Sequence, residues 1–437
     1  MVQLACRDVR RRLVLLLTLA VLVAGVLAPA ARAVDRAGLR STLAVLHHRL
    51  GPAAGAYVVD LGTGQPIFAH RQDLALAPAS NEKLFVTAAA LLRFGPAATL
   101  STQLRAAPGA AVDASGVLRG DLYLVGGGDP TLGDPGLETL ADDLAAAGVT
   151  RIAGAVIGDE SSFDTLRGGP DSAYRPDGDL GGWLSALSWD HGRATGGSPA
   201  KAAAARLASL LKARDITYDR RPRAGALPGG ASPATPTLPA PSTTTPGTSA
   251  TPAQVPASDT PLAVLPSPAI RELMADTNIP SENFYAEMLT KALGAHFGAG
   301  GTTAAGLAVT RAQMAALGIH PRLVDGSGLS RADRTTPRQI VRLLTRMDGQ
   351  DTSADWEASL PVAGATGTLR LRMRRSAAAG RCLAKTGTLI GVSALSGYCT
   401  TTGGVRVAFS FLENRVCASC AKRLEDRMVG AIARLDG

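Results

Sequence analysis

The chain has 437 residues, 46% of them hydrophobic, and a formal charge of +9. Residues 1–33 hold five arginines and one aspartate, which leaves about +5 on the remainder, scattered rather than clustered, so nucleic-acid binding is not indicated. The length predicts two or three domains, and the apolar content is ample for packed cores.

Arg7, Arg10, Arg11 and Arg12 precede an apolar run from Leu13 to about Ala28, followed by Ala31-Arg32-Ala33. A basic start, an apolar centre and a small-x-small junction make residues 1–33 a signal peptide. The run is shorter than the ~20 residues a membrane-spanning helix needs, which favours cleavage over retention as an anchor. The mature protein is therefore expected to be exported.

Residues 34–50 predict an amphipathic helix with Leu39, Leu43, Leu46 and Leu50 on one stripe. His47 and His48 on it are expected at the surface. No carboxylate or cysteine lies at ligand spacing, so they carry no metal expectation. Two strands follow, over 56–60 and 65–70, joined at Gly62-Thr-Gly64. Next comes Pro78-Ala-Ser-Asn-Glu-Lys83, running into a dense apolar helix that Gly95-Pro96 stops. Ser80 falls near the helix start and Lys83 one turn on, on the same face. A serine becomes a competent nucleophile when a neighbouring base takes its proton. A lysine is that base only when burial or another cation lowers its pKa. Alone, the Ser-x-x-Lys pattern reads as a capped helix with an exposed lysine.

About two hundred residues then intervene before the next such motif. Within them, strands are predicted over 116–125 and 151–157, and helices over 136–147 and 199–213. Gly126-Gly127-Gly128 lacks a following lysine–serine/threonine pair, so it reads as a turn permitting positive φ rather than a phosphate cradle. Residues 227–259 are rich in proline, threonine, serine and alanine with almost no charge, the composition of a flexible linker. A helix is predicted over 266–276, then Ser281-Glu282-Asn283 opens a second one through Gly294. Leu323-Val-Asp-Gly-Ser-Gly-Leu-Ser-Arg331 reads as a loop. Thr336-Pro-Arg-Gln339 reads as a capping box with proline at the first helical position. Three antiparallel strands follow over 381–389, 393–401 and 405–413, with Lys385-Thr386-Gly387-Thr388 in the first, and a closing helix spans about 421–435.

Ser-x-x-Lys, Ser-x-Asn and Lys-Thr-Gly in this order form the signature of penicillin-binding proteins and serine β-lactamases. Val58-Val-Asp-Leu-Gly-Thr-Gly64 leading to Pro78–Phe85, the Asp121–Leu132 run, Ile157-Gly-Asp159 and Trp183–Ser188 narrow this further. They resemble the D-alanyl-D-alanine carboxypeptidase/endopeptidase family, the class C penicillin-binding proteins, over most of the chain outside the linker. Glu282 stands where that family more often has aspartate.

The resemblance implies an α+β, β-lactamase/transpeptidase-like catalytic domain: a five-stranded antiparallel sheet flanked by helices, with a β-rich inserted domain. Residues 34–97 and 260–437 would form the discontinuous catalytic domain and 98–226 the insert. It further implies that Ser80 attacks the penultimate D-alanine carbonyl and that Lys83 accepts its proton. Ser281 relays a proton to the leaving amine, and Asn283 orients Lys83 and the substrate amide. Lys385 supplies positive potential, Thr386 and Thr388 bind the terminal carboxylate, and Gly387 completes the triplet. Backbone N–H groups of Ser80 and Thr388 would form the oxyanion hole. The implied partners are peptidoglycan stem peptides ending in D-Ala-D-Ala and β-lactam antibiotics, in the periplasm or at the cell wall, with no metal or cofactor. The competing readings are a β-lactamase or esterase on the same fold and a catalytically silent wall-binding protein.

Four cysteines lie beyond the signal: Cys382, Cys399, Cys417 and Cys420. Cys382 and Cys399 sit almost symmetrically about the Ile390-Gly391 turn, so they should face each other across two strands. That leaves Cys417 with Cys420 as a second disulfide, against a redox-active Cys-x-x-Cys as the rival reading.

Overall fold

The computed structural model describes residues 34–192, 197–229 and 260–437; the expected signal segment and residues 230–259 of the expected linker lie outside the described residues. Helix α1 (Arg36–His48) is capped by Asp35, whose carboxylate accepts the Gly38 amide at 2.7 Å. It leads into the hairpin β1 (Ala54–Asp60) and β2 (Pro66–His70). A 3₁₀ turn over Ala79–Glu82 then feeds helix α2 (Lys83–Phe94), which ends at Gly95.

The chain next builds a second sheet from β3 (Thr99–Ala106), β4 (Val117–Leu118), β5 (Leu122–Gly126), β6 (Arg151–Asp159), β7 (Thr217–Ala224) and β8 (Ala263–Ala269). Helices α3 (Asp134–Ala146) and α4 (Pro199–Lys212) pack their leucines and alanines on one of its faces. The order is β4-β6-β5-β3-β8, with β7 pairing β6 in parallel at the other edge. Three expectations are corrected here. The strand expected over 116–125 is two short strands, β4 and β5. Residues Pro266 and Pro268 belong to β8, and the helix α5 begins only at Ile270 and runs to Asn278. A proline gives up no ladder hydrogen bond on an edge strand, which is where β8 lies. Of the three glycines 126–128, only Gly128 has positive φ, at 91°. Gly126 and Gly127 instead admit the carbonyls of Ala186 and Ser101 within 2.3 Å of where a Cβ would stand.

Helices α6 (Asn283–Phe297), α7 (Thr303–Ala316), α8 (Pro337–Asp348) and α9 (Ser353–Ala358) follow. Thr336 accepts the Gln339 amide at 3.1 Å, but the Gln339 side chain accepts from His320 N–H rather than closing the expected reciprocal box. The meander β9 (Cys382–Leu389), β10 (Val392–Thr400) and β11 (Arg406–Asn414) ends in α10 (Ala418–Ile432). The first sheet has the order β2-β1-β11-β10-β9, all antiparallel. Alternate residues of β11 serve opposite faces. Ala408 and Leu412 belong to the core that also takes in residues of α2, α6 and α8, whereas Phe409 and Phe411 belong to the one with residues of α1 and α10.

Both expected disulfides form, Cys382 with Cys399 and Cys417 with Cys420, and the first pair is directly opposite in the β9–β10 register. His47 is not at the surface. It is fully buried against Phe68 and His70, with the two Nδ1 atoms 3.0 Å apart, while His48 is exposed. The hairpin folds back over that helix stripe, which no local periodicity could signal.

Candidate active site

Ser80 lies in the 3₁₀ turn ahead of α2 rather than in the helix itself. Ala79 before it has φ of 47°, a left-handed conformation that costs a non-glycine residue on the order of 1–3 kcal/mol. Two contacts hold the turn. Asn81 Nδ2 donates to the Lys385 carbonyl at 3.1 Å, and the Pro78 carbonyl lies 2.6 Å from where a Cβ on Gly387 would stand. Gly387 is therefore the position where β9 lets the Ser80 turn approach. Ser281, also at positive φ (70°), lies just before α6.

Lys83 is fully buried, and its Nζ has three partners: Ser80 Oγ at 3.0 Å, Asn283 Oδ1 at 2.6 Å and the Ser327 carbonyl at 2.6 Å. The last two can only accept. A neutral amine has two N–H bonds and one lone pair, so donating to both leaves the lone pair facing the Ser80 hydroxyl. Burial pushes the Lys83 ammonium down to about 8, against the carboxyl fields of Asp325, Glu287, Glu282 and Glu82. At pH 7 roughly a tenth of the side chain is then the neutral base.

Asn283 is oriented by the inserted segment: its Nδ2 donates to the Asp179 carbonyl at 2.7 Å, which turns Oδ1 toward Lys83. Lys385 is also fully buried and donates to Ser281 Oγ at 2.8 Å and to the Thr386 carbonyl at 3.0 Å. Burial, and then the charge of Lys83, hold it well below the ordinary lysine range. An entering carboxylate reverses that balance and favours the ammonium. Because Lys385 supplies the hydrogen to Ser281 Oγ, the serine's own hydrogen is free to point into the cleft.

β9 is the edge of its sheet. The Ala384 amide turns outward to the Pro361 carbonyl, so the amides of Thr386 and Thr388, two and four residues on, face the same open side. Thr388 is exposed there, and Thr386 Oγ1 meets Thr368 Oγ1 at 2.8 Å. The structure thus brings together Ser80, Lys83, Ser281, Asn283 and Lys385 through Thr388. The four cysteines are paired in the two disulfides. Thr368 and Asp179 are contributors that no motif signalled. Ser327 lies in the 323–331 loop, which resembles a family loop and was expected as scaffold near the site, but like Asp179 it acts through a backbone carbonyl that leaves no mark in residue identity.

The model of the D-Ala-D-Ala carboxypeptidase 3 (S13) family matches residues 39–177 and 243–435. The chain is 32% identical to the D-alanyl-D-alanine carboxypeptidase of Actinomadura sp. (strain R39), over 89% of this chain and 82% of that protein. It is 29% identical to a carboxypeptidase of Mycobacterium tuberculosis, over 86% and 80%. Among solved structures, penicillin binding protein 4 of Haemophilus influenzae shares the fold with a TM-score of 0.71 at 19% identity, covering 90% of this chain and 99% of that one.

Proposed function

The chain belongs to the D-Ala-D-Ala carboxypeptidase 3 (S13) family, and from that premise we propose that it removes the terminal D-alanine from peptidoglycan stem peptides ending in D-Ala-D-Ala. It is a serine-type carboxypeptidase. Ser80 Oγ attacks the penultimate D-alanine carbonyl as its proton passes to Lys83 Nζ. The developing oxyanion accepts from the amides of Ser80 and Thr388, each donor contributing about 2.7–4 kcal/mol in sites of this kind. Ser281 relays to the departing amine the proton that Lys83 took from Ser80, giving up its own hydrogen as it receives that one. The terminal carboxylate is held by Lys385 and by the hydroxyls of Thr386 and Thr388. Water then hydrolyses the acyl-enzyme. Applied to a D-alanyl cross-link, the same acyl transfer is the D,D-endopeptidase reaction, a second activity of this site. β-Lactams acylate Ser80 by the same attack, and the enzyme works after export, in the periplasm or at the cell wall.

The observation that carries this reading is the triple contact of Lys83 Nζ with Ser80, Asn283 and the Ser327 carbonyl. The test is Ser80→Ala, assayed with a fluorescent penicillin and for D-alanine release from muropeptides. Both signals should vanish together. Labelling at the parental rate would move the nucleophile elsewhere.

A further inference from the structure

Four carboxyl groups are buried around Lys83 and its neighbour Glu82: Glu82 itself, Glu287, Asp325 and Asp333. Neither oxygen of Glu82 has a partner, nor does Glu287 Oε2 or Asp333 Oδ2. An ionised carboxylate without donors is not sustained at such depth, so protons reside in this cluster. Burial, then the neighbouring carboxyl groups, raise Glu82 well above the usual range, Glu287 to about 7 and Asp333 to about 9.

The oxygens that do have partners all hold one loop. Asp333 Oδ1 accepts the Val324 amide at 2.6 Å, and Asp325 accepts those of Gly328 at 2.7 Å and Ser330 at 2.6 Å. Glu287 Oε1 accepts the amides of both Gly326 and Ser327, each at 2.8 Å. The outcome of this wrapping is the Ser327 carbonyl, aimed at Lys83 Nζ. Glu287 stands one turn after Asn283 on α6, so the two share a face. One helix therefore sets both fixed acceptors of Lys83: Asn283 Oδ1 directly, and the Ser327 carbonyl through Glu287.

We propose that Glu287 is a positioning residue for the general base, holding the Gly326–Ser327 peptide so that the Ser327 carbonyl takes one Lys83 N–H and the lone pair is left on Ser80. The inference rests on the reading of Lys83 as the base. Without that carbonyl the amine turns about its Cε–Nζ bond and the lone pair loses its direction. The group is isosteric with glutamine, whose oxygen accepts the same two amides. The other titratable groups facing this region are Glu82, Glu282, Asp325, Asp333, Lys291 and Lys385.

The experiment compares Glu287→Ala and Glu287→Gln in the full chain by the rate constant of penicillin acylation at saturation, its half-saturating concentration and its pH profile, with thermal melting as the folding control. Glu287→Ala should lower the limiting rate on the order of 10²-fold, the effect of a small misplacement of a reacting group, and leave half-saturation unchanged. Glu287→Gln should restore the rate to within about threefold of the parent. In both, the rise of acylation with pH should begin at lower pH, because a carboxyl that favoured the Lys83 ammonium is gone. A structural role alone would not move that limb. Parental acylation by a folded Glu287→Ala overturns the proposal, as does a Glu287→Gln variant as slow as the alanine one with an unmoved limb. Either result leaves the catalytic reading intact, because only labelling of Ser80→Ala would end that.

Discussion

The carbonyl of Asp179 and the side-chain amide of Asn283 are 2.7 Å apart, and this contact between the inserted segment and α6 determines which end of the amide meets Lys83. The loop carrying Asp179 is itself pinned by Asp177, whose carboxylate accepts the amides of Asp179 at 2.7 Å and Leu180 at 3.3 Å. The loop carrying Asp179 thus takes part in the proposed constellation by orienting Asn283. Asp177→Ala should slow penicillin acylation about threefold to tenfold, in keeping with loosened orientation. Asp177→Asn, which forms the same turn, should recover most of the rate. Stopped-flow acylation of the two variants checks this, and equal rates in both would remove the insert from catalysis.

In the proposed mechanism Lys83 reacts as the neutral amine, and burial brings it to about 8. Acylation should therefore increase as pH rises from 6 to 9 and level off beyond about 9, where deprotonation is complete. Lys83→Ala should lose that limb and acylate more slowly by about 10²–10⁴-fold. A pH-independent parental rate would mean that another group takes the Ser80 proton.

Among the described residues, Lys385 Nζ hydrogen-bonds to Ser281 Oγ and to the Thr386 carbonyl and meets no carboxylate. Its charge is stabilised when an anion enters. Lys385→Ala should therefore raise KM for a free-acid dipeptide terminus far more than for the amide-capped analogue. Steady-state kinetics on the matched pair decides it, and equal losses on both would assign Lys385 to proton relay through Ser281 instead.

The buried His47–His70 contact predicts an acid limit to stability. Burial, then the charge of His70, pushes His47 down to about 4 from an ordinary 6.5. Below pH 6.5 the unfolded chain binds a proton that the folded one refuses, so stability falls as pH drops through 6.5 to 4 and then flattens. The full effect is about 3 kcal/mol. Melting curves of His47→Gln should have a visibly smaller decline over that window. An unchanged decline would place the acid sensitivity elsewhere.

The three sequence triplets were legible because each is local. Ser80 and Lys83 share a turn, Ser281 and Asn283 flank a helix start, and Lys385 to Thr388 share a strand. The C-terminal meander was legible for the same reason, since short turns fix its register and with it the facing pair Cys382 and Cys399. Strand β7 was not, because Asp219, Arg220, Arg221, Pro222 and Arg223 carry no strand pattern and pair only once β6 offers an edge. Nor was the proline-bearing β8, which exists only against β3.

Residue identity by itself determined which groups could do chemistry here, because a hydroxyl, an amine and an amide at fixed short spacing point one way wherever the chain folds. What it left open was their ionisation and aim. Lys83 is proposed as the base because folding buries it between Asn283 and a carbonyl 244 positions away, and Asn283 is aimed by a carbonyl 104 positions away. A main-chain carbonyl is the same atom in every residue, so a sequence cannot mark the one that matters, and only the tertiary structure selects it.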